Sequence, residues 1–124
     1  MKYKFIWDTE GIRIRFHGLI GTKDVLAAKA EFHGDPRFES QKYSIWDFSH
    51  CTPGLINPAQ FNSIVAYHIG ASFTLQSHKL ALVSKSIIVR KLLQKFVSES
   101  RATGSPWEFA IFKAEEEALE WGKN

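Results

Sequence analysis

Two short segments near the start of the chain alternate between apolar and polar residues, which is the pattern of β-strands. They are residues 3–7 and residues 12–16, and Arg13 and Arg15 lie on the polar side of the second segment. Residues 8–11 between them have the composition of a tight turn that ends in glycine. The pattern therefore predicts an antiparallel hairpin with one face exposed to solvent.

Further along the chain, helical and strand patterns alternate. Three apolar runs are typical of buried strands, namely residues 43–48, 80–83 and 107–112. Four segments place apolar residues at helical spacing, and they begin near Thr22, Asn57, Ser86 and Ala114. Thr22 is a residue type that favours an N-cap, and we expect Gly18 and Gly21 before it to end the second strand.

The resulting order of elements is β-β-α-β-α-β-α-β-α. A hairpin followed by alternating helices and strands predicts a single α/β domain over residues 1–124. Its mixed sheet joins the N-terminal antiparallel hairpin to parallel strands, and helices pack on the sheet. The length of 124 residues fits one domain, and an apolar content of 44% is sufficient for a hydrophobic core.

Cysteine content, hydropathy and charge exclude several classes of protein. Cys51 is the only cysteine, so the chain forms no internal disulfide. The sequence shows no secretory leader and no apolar run long enough for stable membrane insertion, so we expect a cytoplasmic protein. The net charge of +3 is mild, and no exposed aromatic residues accompany the cations of the third helix. We therefore expect no nucleic-acid partner.

Candidate binding residues lie where two predicted parallel strands end, because ligands of α/β proteins bind outside the carboxyl ends of such strands. These residues are Asp47, Ser49, His50, Lys85, Ser86 and Arg90. Asp47 either binds a ligand or caps the loop that follows it. The helix that begins after Ser86, with Arg90 one turn in, presents a candidate anion site. We therefore expect a small apolar or anionic ligand at this edge, beneath the second and third helices.

The sequence contains no established catalytic or metal-binding motif. Its five histidines lack metal-ligand spacing, and no nucleotide-binding glycine motif is present, so we expect no metal and no cofactor. Ser49, His50 and Cys51 are adjacent in sequence, whereas a nucleophile and its base normally come from distant segments. We expect a small buried thiol, a structural His68 and no enzyme activity. The competing hypothesis is a small enzyme that uses Cys51 or a histidine.

The second helix carries more apolar surface than one stripe can bury against a sheet. Tyr67 and Phe73 lie away from the stripe that Phe61, Val65 and His68 form. Exposed apolar residues on a helix usually mark a partner surface or a ligand cleft. We therefore expect this helix either to form a homodimer contact or to gate a pocket, and the homodimer is the preferred alternative.

Across nearly the whole chain, the order of elements resembles the SpoIIAA-like family, a branch of the STAS-like fold. The segments that carry the resemblance are GLIGTKD at the first helix, IWDFS in the third strand, KLALVS in the fourth strand and EFAIFKAEEEALEW at the end. The resemblance implies a small bacterial binding or regulatory protein. It also implies a fold similar to the lipid-binding Sec14/CRAL-TRIO domain, in which an apolar ligand can lie between sheet and helices.

Related STAS domains carry a phosphorylatable serine at the start of the helix that follows the Asp-containing strand. Residues 46–49 match the first part of that motif, but residues 55–59 read LINPA where the serines would lie, and Ser63 is too far into the helix to replace them. We therefore expect a non-enzymatic binding or regulatory module without the phosphoserine switch. Its partner is either a small apolar or anionic ligand or another protein.

Overall fold

The computed structural model describes residues 2–124, which contain five strands and four α-helices. The strands are β1 (Tyr3–Trp7), β2 (Gly11–Ile20), β3 (Tyr43–Pro53), β4 (Lys79–Val83) and β5 (Glu108–Phe112). The helices are α1 (Thr22–His33), α2 (Pro58–Thr74), α3 (Ile87–Ala102) and α4 (Glu115–Lys123), and a 3-10 turn at Phe38–Ser40 precedes β3. No helix within residues 2–124 is long and apolar enough to cross a membrane.

The five strands form one mixed sheet in the order β1-β2-β3-β4-β5. β1 pairs with β2 in antiparallel orientation, and the three later pairs are parallel. This arrangement is the predicted N-terminal hairpin followed by parallel strands. The predicted order of elements and the α/β fold class are therefore confirmed.

The sheet has a hydrophobic core on each face. Successive residues of a strand point to opposite faces, so β3 contributes Trp46 to the larger core and Ile45 to the smaller one. The larger core includes Phe32 of α1, Ile64 of α2 and Phe96 of α3, whereas α4 alone covers the smaller core. Helices α1, α2 and α3 therefore pack on the same face of the sheet, and the hydrophobic core on this face is the larger of the two.

β2 and β3 extend further than the sequence pattern predicts. Gly18 does not end β2, because it adopts a φ of 76°, which residues with side chains rarely adopt, and the strand continues to Ile20. After a bulge, residues 17–20 pair in parallel with residues 50–53. The Ser-His-Cys cluster at residues 49–51 consequently lies within a strand and does not begin a loop.

Gly21, and not Thr22, is the N-cap of α1, which corrects the prediction. The Asp24 carboxylate accepts a hydrogen bond of 2.9 Å from the Gly21 amide, as in a capping box. Thr22 is the first helical residue, and its hydroxyl donates to Gln60 Oε1 at 2.9 Å. This bond ties the start of α1 to α2.

The first residue of α4 contacts the polar side of β2, so the predicted solvent-exposed face of the hairpin is only partly exposed along this strand. Arg15 donates hydrogen bonds of 2.8 and 2.6 Å to the Glu115 carboxylate, and Arg13 donates one of 3.3 Å. Arg13 also forms an ion pair of 3.2 Å with Asp8. Glu115 follows Arg15 by 100 residues, so local sequence patterns carry no sign of this contact.

Candidate functional site

An apolar cavity of about 100 Å³ lies between the sheet and helices α1, α2 and α3. Sheet residues such as Trp46, Phe48 and Leu82 form its floor. Residues such as Ile64 of α2 and Phe96 of α3 form its roof. Large apolar side chains thus surround the space without filling it.

The cavity opens at the carboxyl edge of the sheet. Among its lining residues, Cys51, Pro53 and Ile56 remain at least partly exposed and therefore mark the opening. Leu80 and Trp46 are 1% and 2% exposed and form the closed end. The cavity is therefore partly open to solvent near Cys51, Pro53 and Ile56 and is enclosed by buried side chains around Leu80 and Trp46.

Lys29 occupies a core position of α1. Thr22, Val25, Lys29 and Phe32 follow one another at spacings of three and four residues, so they share the face of the helix that packs on the sheet. Lys29 is only 3% exposed and lines the cavity about two turns in from the start of α1. The prediction from sequence missed this residue. The sign that could have revealed it is a lysine within a stripe whose other residues face the sheet.

The Lys29 ammonium group has aromatic neighbours and no counter-ion. Its Nζ lies 4.7 Å from the centroid of the Trp46 ring and 5.2 Å from that of Phe96. Within residues 2–124, Lys29 Nζ takes part in no hydrogen bond, and no carboxylate lies within 4.0 Å of it. Burial lowers the pKa of Lys29 from 10.5 to about 7, so the amine is partly protonated at neutral pH.

The aromatic rings offset only part of the cost of burying this charge. A desolvated cation–π contact contributes about 2 kcal/mol, whereas transfer of an unpaired ammonium group from water costs several kcal/mol. Lys29 therefore destabilises the fold relative to an apolar residue of the same length. A position that breaks the core pattern without a structural gain is typical of a functional site.

Three histidines near Lys29 are held in their neutral form. Burial, and then the charge of Lys29, lower the pKa of His33 to about 2 and that of His68 to about 3. Burial is also the main cause that lowers the pKa of His78 to about 4. These residues are not a metal site, because no group of three or more His, Cys, Asp or Glu side chains in residues 2–124 is arranged to hold an ion.

Asp47 lies on the opposite side of the sheet from the cavity. It is 2% exposed, and its carboxylate accepts a hydrogen bond of 2.8 Å from the Ser49 amide. Burial, and then the neighbouring carboxyl of Glu115, raise the pKa of Asp47. This placement fits the alternative in which Asp47 caps the backbone that follows it.

None of the other predicted ligand-binding residues lines the cavity. Ser49 and His50 lie in the second half of β3, Lys85 and Ser86 follow β4, and Arg90 lies in the first turn of α3. His50 and Lys85 are exposed to solvent. Ser86 is the N-cap of α3, and its Oγ accepts a hydrogen bond of 3.3 Å from the Val89 amide. The structure thus gathers these residues at one edge of the sheet but does not arrange them around a common pocket. Their role in ligand binding stays a prediction.

Tyr67 and Phe73 project from α2 into solvent. They are 47% and 76% exposed, so their predicted exposure is confirmed. Neither residue lines the cavity. Tyr67 lines a second, more open hollow together with His33 and Phe38. The homodimer contact and the gate both stay predictions.

His68, by contrast, is completely buried. Its ring packs against those of Trp107 and Phe109, and its Nε2 shares a hydrogen bond of 2.7 Å with Ser105 Oγ. The side chain links α2 to the segment before β5. This environment is that of a structural histidine.

Cys51 lines the opening of the cavity in an environment that does not activate its thiol. Its Sγ donates a hydrogen bond of 3.3 Å to the Phe48 carbonyl oxygen. Burial, and then the charge of Asp47, raise the pKa of the thiol, which keeps it protonated at neutral pH. These features disfavour Cys51 as a nucleophile.

We expect Cys51→Ala to leave ligand binding within a few fold of the parent protein. The free energy of unfolding should fall by about 1 kcal/mol, as for a small truncation at a partly buried site. Urea unfolding and a binding titration measure the two quantities. Complete loss of an activity by a variant that still folds would instead support the hypothesis of a cysteine enzyme.

Solved structures share this fold over nearly the whole chain. The anti-sigma factor antagonist SpoIIAA in its unphosphorylated form matches with a TM-score of 0.63 and 22% identity, over 98% of this chain and 96% of that chain. The phosphorylated form of SpoIIAA, a Bacillus cell fate determinant, matches with a TM-score of 0.57 and 20% identity, over 96% and 97% of the two chains.

An uncharacterised protein of the DUF3478 family from Shewanella loihica PV-4, which has a SpoIIAA-like fold, also matches. Its TM-score is 0.59 at 10% identity, and the match covers 96% of this chain and 90% of that chain. No protein-family model and no curated protein matches the sequence. The predicted resemblance is therefore confirmed at the level of structure: the chain has a SpoIIAA-like fold.

Proposed function

We propose that this chain uses its SpoIIAA-like fold as a non-enzymatic binding module, which holds a small apolar molecule in the cavity beneath α2 and α3. The observation that carries the proposal is the cavity, which measures about 100 Å³ and has an almost entirely apolar lining. Apolar cavities of comparable size, about 150 Å³, stay free of water and bind molecules such as benzene. An apolar guest is therefore the occupant that this lining suits.

The cost of leaving the cavity empty supports the same proposal. Protein interiors are normally packed as densely as organic crystals. In an enclosed cavity, lost packing costs about 24 cal/mol per Å³, so about 2 kcal/mol is the upper limit for a partly open cavity of about 100 Å³. A bound apolar molecule restores these contacts, and the opening beside Cys51 and Ile56 gives it a route of entry.

We expect Val89→Phe to abolish the binding of an apolar probe, because a phenyl ring at this position occupies the cavity. Val97→Phe is the matched control: both valines lie on α3 and are 7% exposed, but only Val89 lines the cavity. Native mass spectrometry of freshly purified protein reports any ligand that is already bound. Titration with 1-octanol, followed by nuclear magnetic resonance, measures binding, and thermal melting shows whether each variant folds.

Two results would contradict the proposed function. In the first, Val89→Phe folds and binds 1-octanol as tightly as the parent protein. In the second, Val97→Phe loses binding to the same extent as Val89→Phe, so that the loss reflects a general effect of overpacking.

We propose further that α2 provides a homodimer contact through Tyr67 and Phe73. Exposed large apolar side chains such as these gain free energy when a partner covers them. The variant Tyr67→Glu with Phe73→Glu is expected to be a soluble monomer with a modest loss of stability. Light scattering gives the mass, and thermal melting gives the stability.

The other outcomes of that experiment separate the remaining roles of the two residues. Unchanged mass with lost ligand would indicate that α2 gates the cavity. Unchanged mass, ligand content and stability would mean that Tyr67 and Phe73 are incidental surface residues. Each of these results would contradict the homodimer contact.

A further inference from the structure

We infer that the molecule held in the cavity carries a carboxylate, and that this carboxylate forms an ion pair with Lys29 at the closed end of the cavity. The inference rests on the proposed function and names the class of its ligand: a small aliphatic or aromatic acid. Nothing in the sequence pattern assigned a role to Lys29, and none of the residues predicted to bind ligand lines the cavity.

The first observation is a buried cation that lacks a partner. Lys29 is 3% exposed, and within the described residues it has neither a salt bridge nor a hydrogen bond through Nζ. A buried charge in a folded protein is normally paired. We therefore expect a molecule that enters the cavity to supply the negative charge that pairs with Lys29.

The second observation is the position of Lys29 within the cavity. Its Nζ lies between the rings of Trp46 and Phe96, and both of these residues line the cavity. The partly exposed residues of the opening, such as Pro53 and Ile56, lie at the other end. A bound acid therefore places its charged group inside and its apolar part along the lining toward the opening.

Water does not replace such a partner well. An ordered buried water usually forms about three hydrogen bonds to polar groups. Besides Lys29, the polar groups of the lining side chains are the Thr22 hydroxyl, the Cys51 thiol and the Trp46 indole N–H, and the hydroxyl and thiol already donate to Gln60 and to the Phe48 carbonyl. The lining therefore offers few free polar groups to a water molecule beside Lys29, and none of them carries the negative charge that would balance the ammonium group.

The number of charges favours a carboxylate over a phosphate. One lysine matches the single charge of a carboxylate, whereas a phosphate monoester carries nearly two charges and three strong acceptor oxygens. No arginine lies among the lining residues that the structure describes. A phosphate group at this end of the cavity would lack a second positive charge and hydrogen-bond donors for its oxygens.

The test compares three ligands that share an eight-carbon tail and differ in the head group: octanoate, 1-octanol and octylamine. Each is titrated into the full chain at pH 7 by isothermal titration calorimetry. We expect octanoate to bind about 10- to 100-fold more tightly than 1-octanol, the ratio typical of a buried charge-assisted contact. Octylamine should bind most weakly, because its charge repels that of Lys29.

Two variants assign the preference to Lys29. In Lys29→Met, octanoate should lose its advantage over 1-octanol, so that the two ligands bind with similar affinity. Lys91→Met is the matched control, since Lys91 is exposed on α3 and does not line the cavity; it should keep the full preference for octanoate. An unchanged preference in Lys29→Met would overturn the inference.

A second measurement needs no variant. Because the Lys29 amine is partly neutral near pH 7, pairing with a carboxylate should draw about half a proton from the buffer. Titrations in buffers of different ionisation enthalpy detect this uptake, which should accompany octanoate and not 1-octanol. Equal uptake for both ligands would overturn the inference.

The failure of this inference is distinguishable from the failure of the proposed function. If 1-octanol binds in the cavity and octanoate binds no better, the chain is still an apolar binding module and the role of Lys29 is wrong. If none of the three ligands binds, the proposed function itself is wrong.

Discussion

Lowering the pH from 7 to about 4.5 is expected to unfold this protein, because His68 and His78 are held neutral in its interior and His33 is held neutral where it is partly buried. Their pKa values in the folded state lie at about 2, 3 and 4, against an ordinary value of 6.5. Below pH 6.5 the unfolded chain therefore binds protons that the folded chain excludes. The stability that these residues support is complete above pH 6.5 and declines as the pH falls.

The size of the effect follows from the same linkage. Each excluded proton lowers the free energy of unfolding by about 1.4 kcal/mol per pH unit, so three histidines lower it by about 4 kcal/mol per pH unit. Domains of this size are stable by about 5–15 kcal/mol. Two to three pH units below 6.5 are roughly enough to remove that stability. Carboxylates with lowered pKa values, such as Asp35 and Glu115, add to the loss below about pH 4.

Urea unfolding at intervals between pH 7 and pH 4.5 measures this decline. His68→Leu should reduce the slope of stability against pH by about one third, since it removes one of the three excluded protons. It should also cost about 1 kcal/mol at pH 7, because the hydrogen bond to Ser105 is lost. His17→Leu is the control, since His17 is exposed and should leave the slope unchanged. If the free energy of unfolding stays constant from pH 6.5 to pH 5, the three histidines bind protons in the folded protein, which contradicts the prediction.

The fold was accessible from sequence because its elements are specified locally. Short segments are sufficient to predict these elements. The apolar run at residues 80–83 predicts a buried strand, and Asn57 and Ser86 predict the starts of α2 and α3. The lengths of β2 and β3 were not accessible, because their extensions exist only by pairing with each other over about 30 residues of chain. From the sequence, a glycine such as Gly18 is equally compatible with the end of a strand and with a strand residue that has a positive φ.

The site was less accessible than the fold. The sequence placed candidate residues at the carboxyl edge of the sheet, which is where the cavity opens, but it could not tell which face of the sheet each side chain joins. Asp47 and Trp46 are neighbours in sequence and lie on opposite faces. Lys29 was missed because hydrophobic patterning treats every lysine as a surface residue. The place of Lys29 within the inward-facing stripe of α1 was the available signal, and the packing of α1 on the sheet shows that this lysine is buried.

Lys29→Met is expected to stabilise the protein by about 5 kcal/mol below pH 6, which makes Lys29 the residue with the largest unfavourable effect that we assign. Burial lowers the pKa of this lysine from 10.5 to about 7. The unfolded chain therefore binds a proton between pH 7 and pH 10.5 that the folded chain releases, so the stability of the parent protein rises with pH over this window. Below pH 7 the folded chain carries the full cost of the buried charge.

The variant has no such cost, because methionine keeps the length of the side chain and removes the charge. The difference in stability between Lys29→Met and the parent should therefore be largest at pH 6 and should shrink toward pH 10. Urea unfolding of both proteins at pH 6, 7.5, 9 and 10 measures it, and Lys91→Met is the control for the removal of an exposed lysine. A difference that is the same at every pH would mean that packing, and not charge, separates the two proteins.

The same experiment connects stability to binding. If a carboxylate ligand pairs with Lys29, saturating octanoate should stabilise the parent protein at pH 6 and narrow its gap to Lys29→Met, whereas 1-octanol should stabilise both proteins alike. The reason is that the ion pair removes the cost of the buried charge, which exists only in the parent. Lys29 then lowers the stability of the free protein and provides the contact that binds the carboxylate ligand. Such a loss of stability at a functional residue is common in natural proteins.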